Sequence, residues 1–367
     1  MRRRTALVSA GIAAGLAAGV VGSALIRRRP RGDVEPIGAL PPEDLGMVES
    51  FDGTRIAVRA AGDPAAPVVV LAHGFSLDMS VWCDVWPELA ETNRVVALDL
   101  RSHGASERAA LGDLSLRAMG RDIAAVLEAV SPDRPVVVVG HSMGAIAILA
   151  LAEQRPELFG PQISGVALIG AGSSDLMKGA MGSVTELLRP RLGSLQTAAR
   201  RVDGLRRAVL ASPLGVSGVV ARVTQFGPNA PKRVVDHVVA LAQRTASEVW
   251  TDALPELMEM DLRHAVPRVR VPALVLVGEL DRVTPPAGAV ALAGALPDGR
   301  FVVIPAAGHI PMLETPGAVG RELARFAREL APAPHRRPSP RGAKERSSTP
   351  RSKPKNKPKN KKEEGAA

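Results

Sequence analysis

Gly140-His141-Ser142-Met143-Gly144 lies between the run Val136–Val139 and a helix-like stretch that starts at Met143. A serine on a sharp strand-to-helix turn is held with its hydroxyl exposed, and small neighbours let the backbone close up around it. The helix start then offers N–H groups to developing negative charge. Serine is a weak nucleophile and needs a base. Among the seven histidines, His309 stands apart, because Gly308-His309 follows the run Phe301–Ile304 within a short loop. His141 lies inside the turn, His73 precedes Gly74 and His103 sits in a Gly/Ser loop. His237 and His264 fall in a helical region, and His335 in the tail. An acid should orient the base. Asp281 lies just past the run Ala273–Gly278, with Glu279 as a rival two residues earlier. The order Ser142, Asp281, His309, each beyond the end of a different strand, suits a nucleophile, acid and base carried on loops at one end of one sheet. Singly, a Gly-His loop or an Asp after a strand is more often structural. The ordered set points to covalent catalysis.

The elements that must position these residues come next. Apolar runs suited to buried parallel strands recur at Val68–Ala72, Val95–Asp99, Val136–Gly140, Gly165–Ile169, Ala273–Gly278 and Arg300–Ile304. Helix-like stretches such as Leu114–Ala129 and Met143–Gln154 separate several of them, and Ser115 is a candidate N-cap. Thr54–Ala60 reads as part of an antiparallel edge. The alternation predicts an α/β fold, an open and mostly parallel sheet with helices on both faces. It breaks at about residue 171. Residues 172–264 look helical, with Leu195–Ala211 and Lys232–Trp250 apolar at helical spacing. An insertion there, where strands end, is placed to act as a lid. Met177, Met181, Leu187, Leu188, Val219, Met258 and Met260 would make it apolar.

With these motifs in view, residues 47–331 resemble the α/β-hydrolase superfamily. The resemblance rests on His73-Gly74-Phe75, Asp99-Leu100-Arg101-Ser102-His103-Gly104, the Gly140–Gly144 turn and the Asp281/His309 pair, in that order. It implies that Ser142 attacks, His309 is the base and Asp281 orients it. It also implies an oxyanion hole from the backbone N–H groups of Phe75 and Met143, and no cofactor or metal. The family position favours Asp281 over Glu279. Ser102 stands where many relatives have Gly, in a loop that is not usually catalytic. Members with Asp at the turn, such as haloalkane dehalogenases and epoxide hydrolases, use a carboxylate nucleophile, and Ser142 sets this chain apart from them.

Composition limits the rest. A single cysteine, Cys83, excludes an intrachain disulfide and a cysteine-rich metal site, and a buried inert thiol is expected. Trp82 and Trp86 are four apart, a spacing that suits a helix packed on the core. The net charge of +10 comes from the two ends, which hold 19 of the 47 basic residues and 3 of the 37 acidic ones. What remains is 28 basic against 34 acidic residues, so the body is acidic and nucleic acid is an unlikely partner.

Thr5–Ile26 is 22 residues without a charge, between Arg2-Arg3-Arg4 and Arg27-Arg28-Arg29. As a helix it would extend about 33 Å, enough for a bilayer core. Residues 1–31 are read as a membrane anchor, with a cleaved signal segment and secretion as the alternative. Gly11, Gly15 and Gly19 share one helix face in a chain rich in Gly throughout. Residues 32–46 read as a linker. Residues 332–367 read as a disordered basic tail, either solvated or drawn to anionic lipid or nucleic acid.

The combined reading is a serine hydrolase that cleaves a carboxylic ester, with an apolar acyl group or lipid as substrate. Perhydrolysis (haloperoxidase-like), C–C hydrolysis or acyl transfer could run on the same three residues. A non-catalytic binding module is the alternative of another class.

Overall fold

The computed structural model describes residues 37–174 and 216–331. The anchor reading at 5–26, the first part of the linker, Met177, Met181, Leu187, Leu188, Leu195–Ala211 and the tail 332–367 lie outside them. Eight strands form one sheet: β1 (Glu43–Glu49), β2 (Arg55–Ala61), β3 (Val68–Ala72), β4 (Arg94–Leu98), β5 (Val136–His141), β6 (Ile163–Ile169), β7 (Ala273–Gly278) and β8 (Gly299–Ile304). Their order is β1-β2-β4-β3-β5-β6-β7-β8. β1 with β2 and β2 with β4 are antiparallel, and the rest are parallel. The six predicted parallel strands therefore appear, with ends moved by one or two residues.

The helices are α1 (Trp86–Ala90), α2 (Leu116–Val130), α3 (Met143–Gln154), α4 (Val216–Gln225), α5 (Lys232–Arg244), α6 (Leu254–Glu259), α7 (Pro286–Ala295), α8 (Pro311–Glu314) and α9 (Pro316–Leu330). The Ser115 hydroxyl accepts the Ala118 N–H and so caps α2 as its side chain suggested. Successive strand residues point to opposite faces. Val68, Val70, Val136 and Val138 pack with Met119, Ile123 and Ile146 of α2 and α3. Val69, Leu71, Val137 and Val139 pack with Leu89, Leu323 and Phe326 of α1 and α9. A strand buried on both faces must be apolar at every position, which is why these segments read as runs.

Two expectations change. The stretch read as linker to residue 46 contains the start of β1, which pairs with β2 from Glu43↔Ala60. β2 is accordingly antiparallel but second in the sheet, and β1 is the edge. The sequence of β1, EDLGMVE, is exposed along nearly its whole length, so no apolar pattern announced it. Cys83 and Trp82 are buried as expected, and burial pushes the Cys83 thiol up to about 12. Trp86 is not simply core, since its indole N–H donates to the Ala39 carbonyl at 2.9 Å.

The 99–104 motif organises the fold. Arg101 is fully buried and spends all five N–H groups: two on Asp122, two on Asp52 and one on the Asp113 carbonyl. Ser102 sits at φ +61°, the left-handed region, which explains why glycine suits this position. Its hydroxyl accepts the Ala109 N–H at 3.1 Å, which offsets part of that strain. Arg101→Met should lower unfolding stability by about 3–5 kcal/mol, because Asp122 and Asp52 lose their counter-charge. Urea denaturation at pH 7 reads this, and a change below about 1 kcal/mol would contradict the network's role.

Candidate active site

β5 runs into α3 through a single residue. Ser142 has φ +48° and ψ −114°, a conformation costly for a residue with a Cβ. Its N–H donates to the Ile169 carbonyl of β6 at 2.8 Å, and its carbonyl accepts the Ile146 N–H at 3.0 Å. The flanking glycines have a steric reason. A Cβ on Gly140 would stand 2.5 Å from the Ala145 nitrogen, and one on Gly144 would stand 2.6 Å from the Ala72 carbonyl oxygen. Met143 is the first residue of α3, a position whose N–H has no acceptor within its helix. Phe75, in the loop after β3, lines the same cavity as Ser142.

The structure brings Ser142, His309 and Asp281 together. His309 Nε2 lies 3.1 Å from Ser142 Oγ, and Nδ1 lies 2.9 Å from Asp281 Oδ2. A carboxylate only accepts, so Nδ1 carries the proton and Nε2 is free to accept from the hydroxyl. Asp281 also accepts from the N–H groups of Val283 and Thr284, both at 2.8 Å, and from the Thr284 hydroxyl at 2.6 Å. Burial alone would push its carboxyl up. His309 and the Thr284 bonds outweigh that and hold it below the usual carboxylate range. Glu279, the rival acid, instead accepts the Ala306 N–H at 2.9 Å.

The His309 backbone is held as firmly as its ring. Its N–H donates to the Gln225 carbonyl at 2.6 Å, and its carbonyl accepts from His141 Nε2 at 2.8 Å. His141, His73 and His103 do not join the set. Burial, the largest cause for each, lowers them to about 3, 4 and 3. His73 donates from Nδ1 to the Gly74 carbonyl and accepts the Leu100 N–H, and His103 donates to the Arg101 carbonyl. His237 meets Ser80 at 2.8 Å and His264 meets Glu153 at 2.6 Å, both away from Ser142.

The described part of the insertion is helical, as predicted. Its base is pinned where Leu262 N–H donates to the Ser173 carbonyl at 2.8 Å. The end of α4, a π-helical turn at Val249–Ala253 and α6 border the end of the sheet that carries Ser142. Beneath them is a cavity of about 210 Å³ walled by Phe75, Trp250, Leu254, Leu257, Met258 and Ile310. Phe75 and Trp250 meet edge to face at 5.0 Å. Sequence reasoning placed Met258 in the lid but missed Trp250, which ended a predicted helix, and Thr284, three residues past Asp281. Met260 faces the core instead.

A family model described as the alpha/beta hydrolase fold matches residues 67–316. The chain belongs to the α/β-hydrolase family. Among similar proteins, the probable oxidoreductase EphD of Mycobacterium tuberculosis is 28% identical over 253 residues, covering 66% of this chain and 42% of that protein. This α/β hydrolase thus spans less than half the length of that relative. The pimeloyl-[acyl-carrier protein] methyl ester esterase of Neisseria meningitidis is 25% identical over 265 residues, covering 70% of this chain and 75% of that protein. A thermophilic esterase from Thermogutta terrifontis superposes with a TM-score of 0.64 at 23% identity, over 78% of this chain and 99% of the other. The enol-lactonase from Burkholderia xenovorans LB400 gives 0.61 at 24% identity, over 77% and 99%. At these identities the two structures speak for the fold.

The buried histidines make stability depend on pH. In the unfolded chain a histidine takes up its proton near pH 6.5, whereas folded His103 does so only near 3. Between those values the unfolded state binds more protons, so stability falls as pH drops from about 6.5. His103→Asn keeps a donor for the Arg101 carbonyl and removes one such group. Its unfolding free energy, from urea titrations between pH 6 and 4, should fall less steeply than the wild type's, by up to about 1.4 kcal/mol per pH unit. Equal slopes would contradict the buried neutral assignment.

Proposed function

We propose that this chain is a serine hydrolase that cleaves a carboxylic ester with an apolar acyl group. The observation that carries the reading is the hydrogen-bonded series Ser142–His309–Asp281 opening into an apolar cavity. His309 takes the proton of Ser142 Oγ as the oxygen bonds to the ester carbonyl carbon. Asp281, kept ionised, stabilises the imidazolium and fixes its tautomer. The N–H groups of Met143 and Phe75 receive the oxyanion. His309 then protonates the departing alcohol. A water, deprotonated by His309, attacks the acyl-enzyme and releases the acid and Ser142. These residues carry the cycle without drawing on a cofactor.

The apolar wall at Phe75, Trp250, Leu257 and Met258 supports an apolar acyl group. An ester bond is also what the name of the Neisseria protein specifies. Labelling with a fluorophosphonate, run beside p-nitrophenyl esters of rising chain length, tests the assignment. The wild type should label and turn over, and Ser142→Ala should do neither. Asp281→Asn should retain the fold but lose about 10³–10⁴-fold in kcat, because the imidazole loses its orienting charge. A folded wild type that takes no label would remove the assignment and favour a binding module. Labelling without ester turnover would move the reaction to perhydrolysis, C–C hydrolysis or acyl transfer.

We also propose that the chain works at a membrane surface through residues 5–26, with the basic tail drawn to anionic lipid. No helix among the described residues is long and apolar enough to cross a membrane, so this reading rests on the 22 uncharged residues alone. The full chain should sediment with membranes and resist high-salt extraction, and a chain starting at residue 32 should stay in the supernatant. A mature protein that starts after about residue 24 would replace anchoring with secretion.

A further inference from the structure

Glu314 is the last residue of α8, five positions after His309. Its carboxylate gathers three backbone donors. Oε1 accepts from the N–H groups of Gly308 at 3.0 Å and Ile310 at 3.3 Å, the two neighbours of His309. Oε2 accepts the Gly227 N–H at 2.7 Å, in the turn that follows α4 of the cap. His309 itself donates to the Gln225 carbonyl, two residues before Gly227. The two segments lie backbone against backbone. A Cβ on Gly308 would stand 2.5 Å from the Gln225 carbonyl oxygen, and one on Gly227 would stand 2.2 Å from the Ala306 carbonyl oxygen.

A carboxylate between three N–H groups is an acceptor with no chemical task at the site. Burial raises its carboxyl, and the three N–H groups and the His309 charge oppose that rise. The loop that carries His309 is also held at Ala306, whose N–H donates to Glu279, at Ala307, whose carbonyl accepts the Leu280 N–H, and at His309 itself, but Gly308 and Ile310 rely on Glu314. Residues 306–310 are irregular, and Ala306 has φ +56°. Removing one carboxylate oxygen therefore leaves either the His309 loop or the cap turn without its acceptor.

We propose that Glu314 is a positioning residue that ties the cap turn at Gly227 to the His309 loop, so that the seating of the cap sets the reach of the imidazole to Ser142. The proposal rests on His309 being the base. A side chain about 3 Å from its partner tolerates little displacement, and a shift near 1 Å can cost about 10²-fold in rate. Glu314→Gln is the informative variant, because it keeps the shape but presents an N–H₂ to one of the donors. Glu314→Asp, one methylene shorter, reaches one segment and not both.

Four readouts on the full chain decide the matter. The first is the fluorophosphonate labelling rate of Ser142, which does not depend on any ester. The second is kcat and KM per titrated active site on the best p-nitrophenyl ester. The third is the acid limb of the pH profile of kcat/KM. The fourth is hydrogen exchange in peptides covering 225–230 and 306–313. In Glu314→Gln the labelling rate and per-site kcat should fall about 10- to 100-fold. KM should stay within about threefold, and the acid limb should move to lower pH, since the variant removes a negative charge that acts on His309. Exchange should quicken in both peptides together. Glu322→Gln, on the exposed face of α9 where Glu322 pairs with Arg325, should match the wild type in every readout.

Full per-site rates with fewer titratable sites would overturn the proposal, because Glu314 would then serve folding alone. Faster exchange confined to 306–313 would overturn the tie to the cap. If Glu314→Gln does not fold, Glu314→Asp is judged by the same criteria. A wild-type chain that never labels would overturn the hydrolase reading and this one with it, which separates that failure from a labelled wild type beside an unimpaired variant.

Discussion

The backbone at Ser142 constrains everything around it. A residue with a Cβ at φ +48° and ψ −114° costs about 1–3 kcal/mol, and it persists only where both sides of the turn are fixed. β5 fixes one side, because it lies between β3 and β6 with all six residues buried. α3 fixes the other. Its residues from Met143 to Ala152 are all buried, so the helix is apolar around its whole circumference and cannot rotate or slide without exposing surface. Gly140 and Gly144 follow from the closeness of these two elements. The turn is therefore a product of central placement in the sheet, and the serine hydroxyl emerges where the strands end.

That same end of the sheet collects the other groups by topology. β7 delivers Asp281 and β8 delivers His309, and β6 lies between β5 and β7. No local signal could join residues this far apart in sequence. The parallel order does so, since every parallel strand ends on the same side. This is why three residues that are individually unremarkable could be grouped from the sequence once each was placed just past a strand.

Legibility followed burial. The six parallel strands were readable because two-sided burial demands unbroken apolar runs, as in Val68–Ala72 and Val136–His141. β1 was not, because EDLGMVE is an exposed edge with a bulge at Asp44/Gly46 and carries no period. Helix α5 was readable from its apolar stripe, whereas the π-helical turn that turns Trp250 toward the cavity leaves no mark in the sequence. Glu314 and Thr284 were missed for a different reason. Glu314 accepts only backbone N–H groups, which have no residue type to read, and Thr284 is a threonine like any other until the fold sets its hydroxyl against Asp281. Arg101 shows the intermediate case. A motif drew attention to it, but its partners Asp52 and Asp122 are defined by the fold alone.

The charge pattern of the site also depends on what burial refuses to ionise. The His141 ring lies 5.0 Å from that of His309, close enough for a second positive charge to oppose protonation of the proposed base. Burial, and the neighbouring His309, hold His141 down to about 3, so it donates to the His309 carbonyl as a neutral ring. Asp281 is just as enclosed yet stays ionised, because four donors converge on it where His141 has one acceptor. Two buried titratable groups on either side of His309 thus settle in opposite directions. The outcome is a fixed negative charge at Nδ1 and a neutral ring at His141, a field that favours a proton on Nε2. At Asp281 the His309 ring and the Thr284 bonds outweigh burial, whereas at His141 burial prevails, and that difference decides which neighbour is charged.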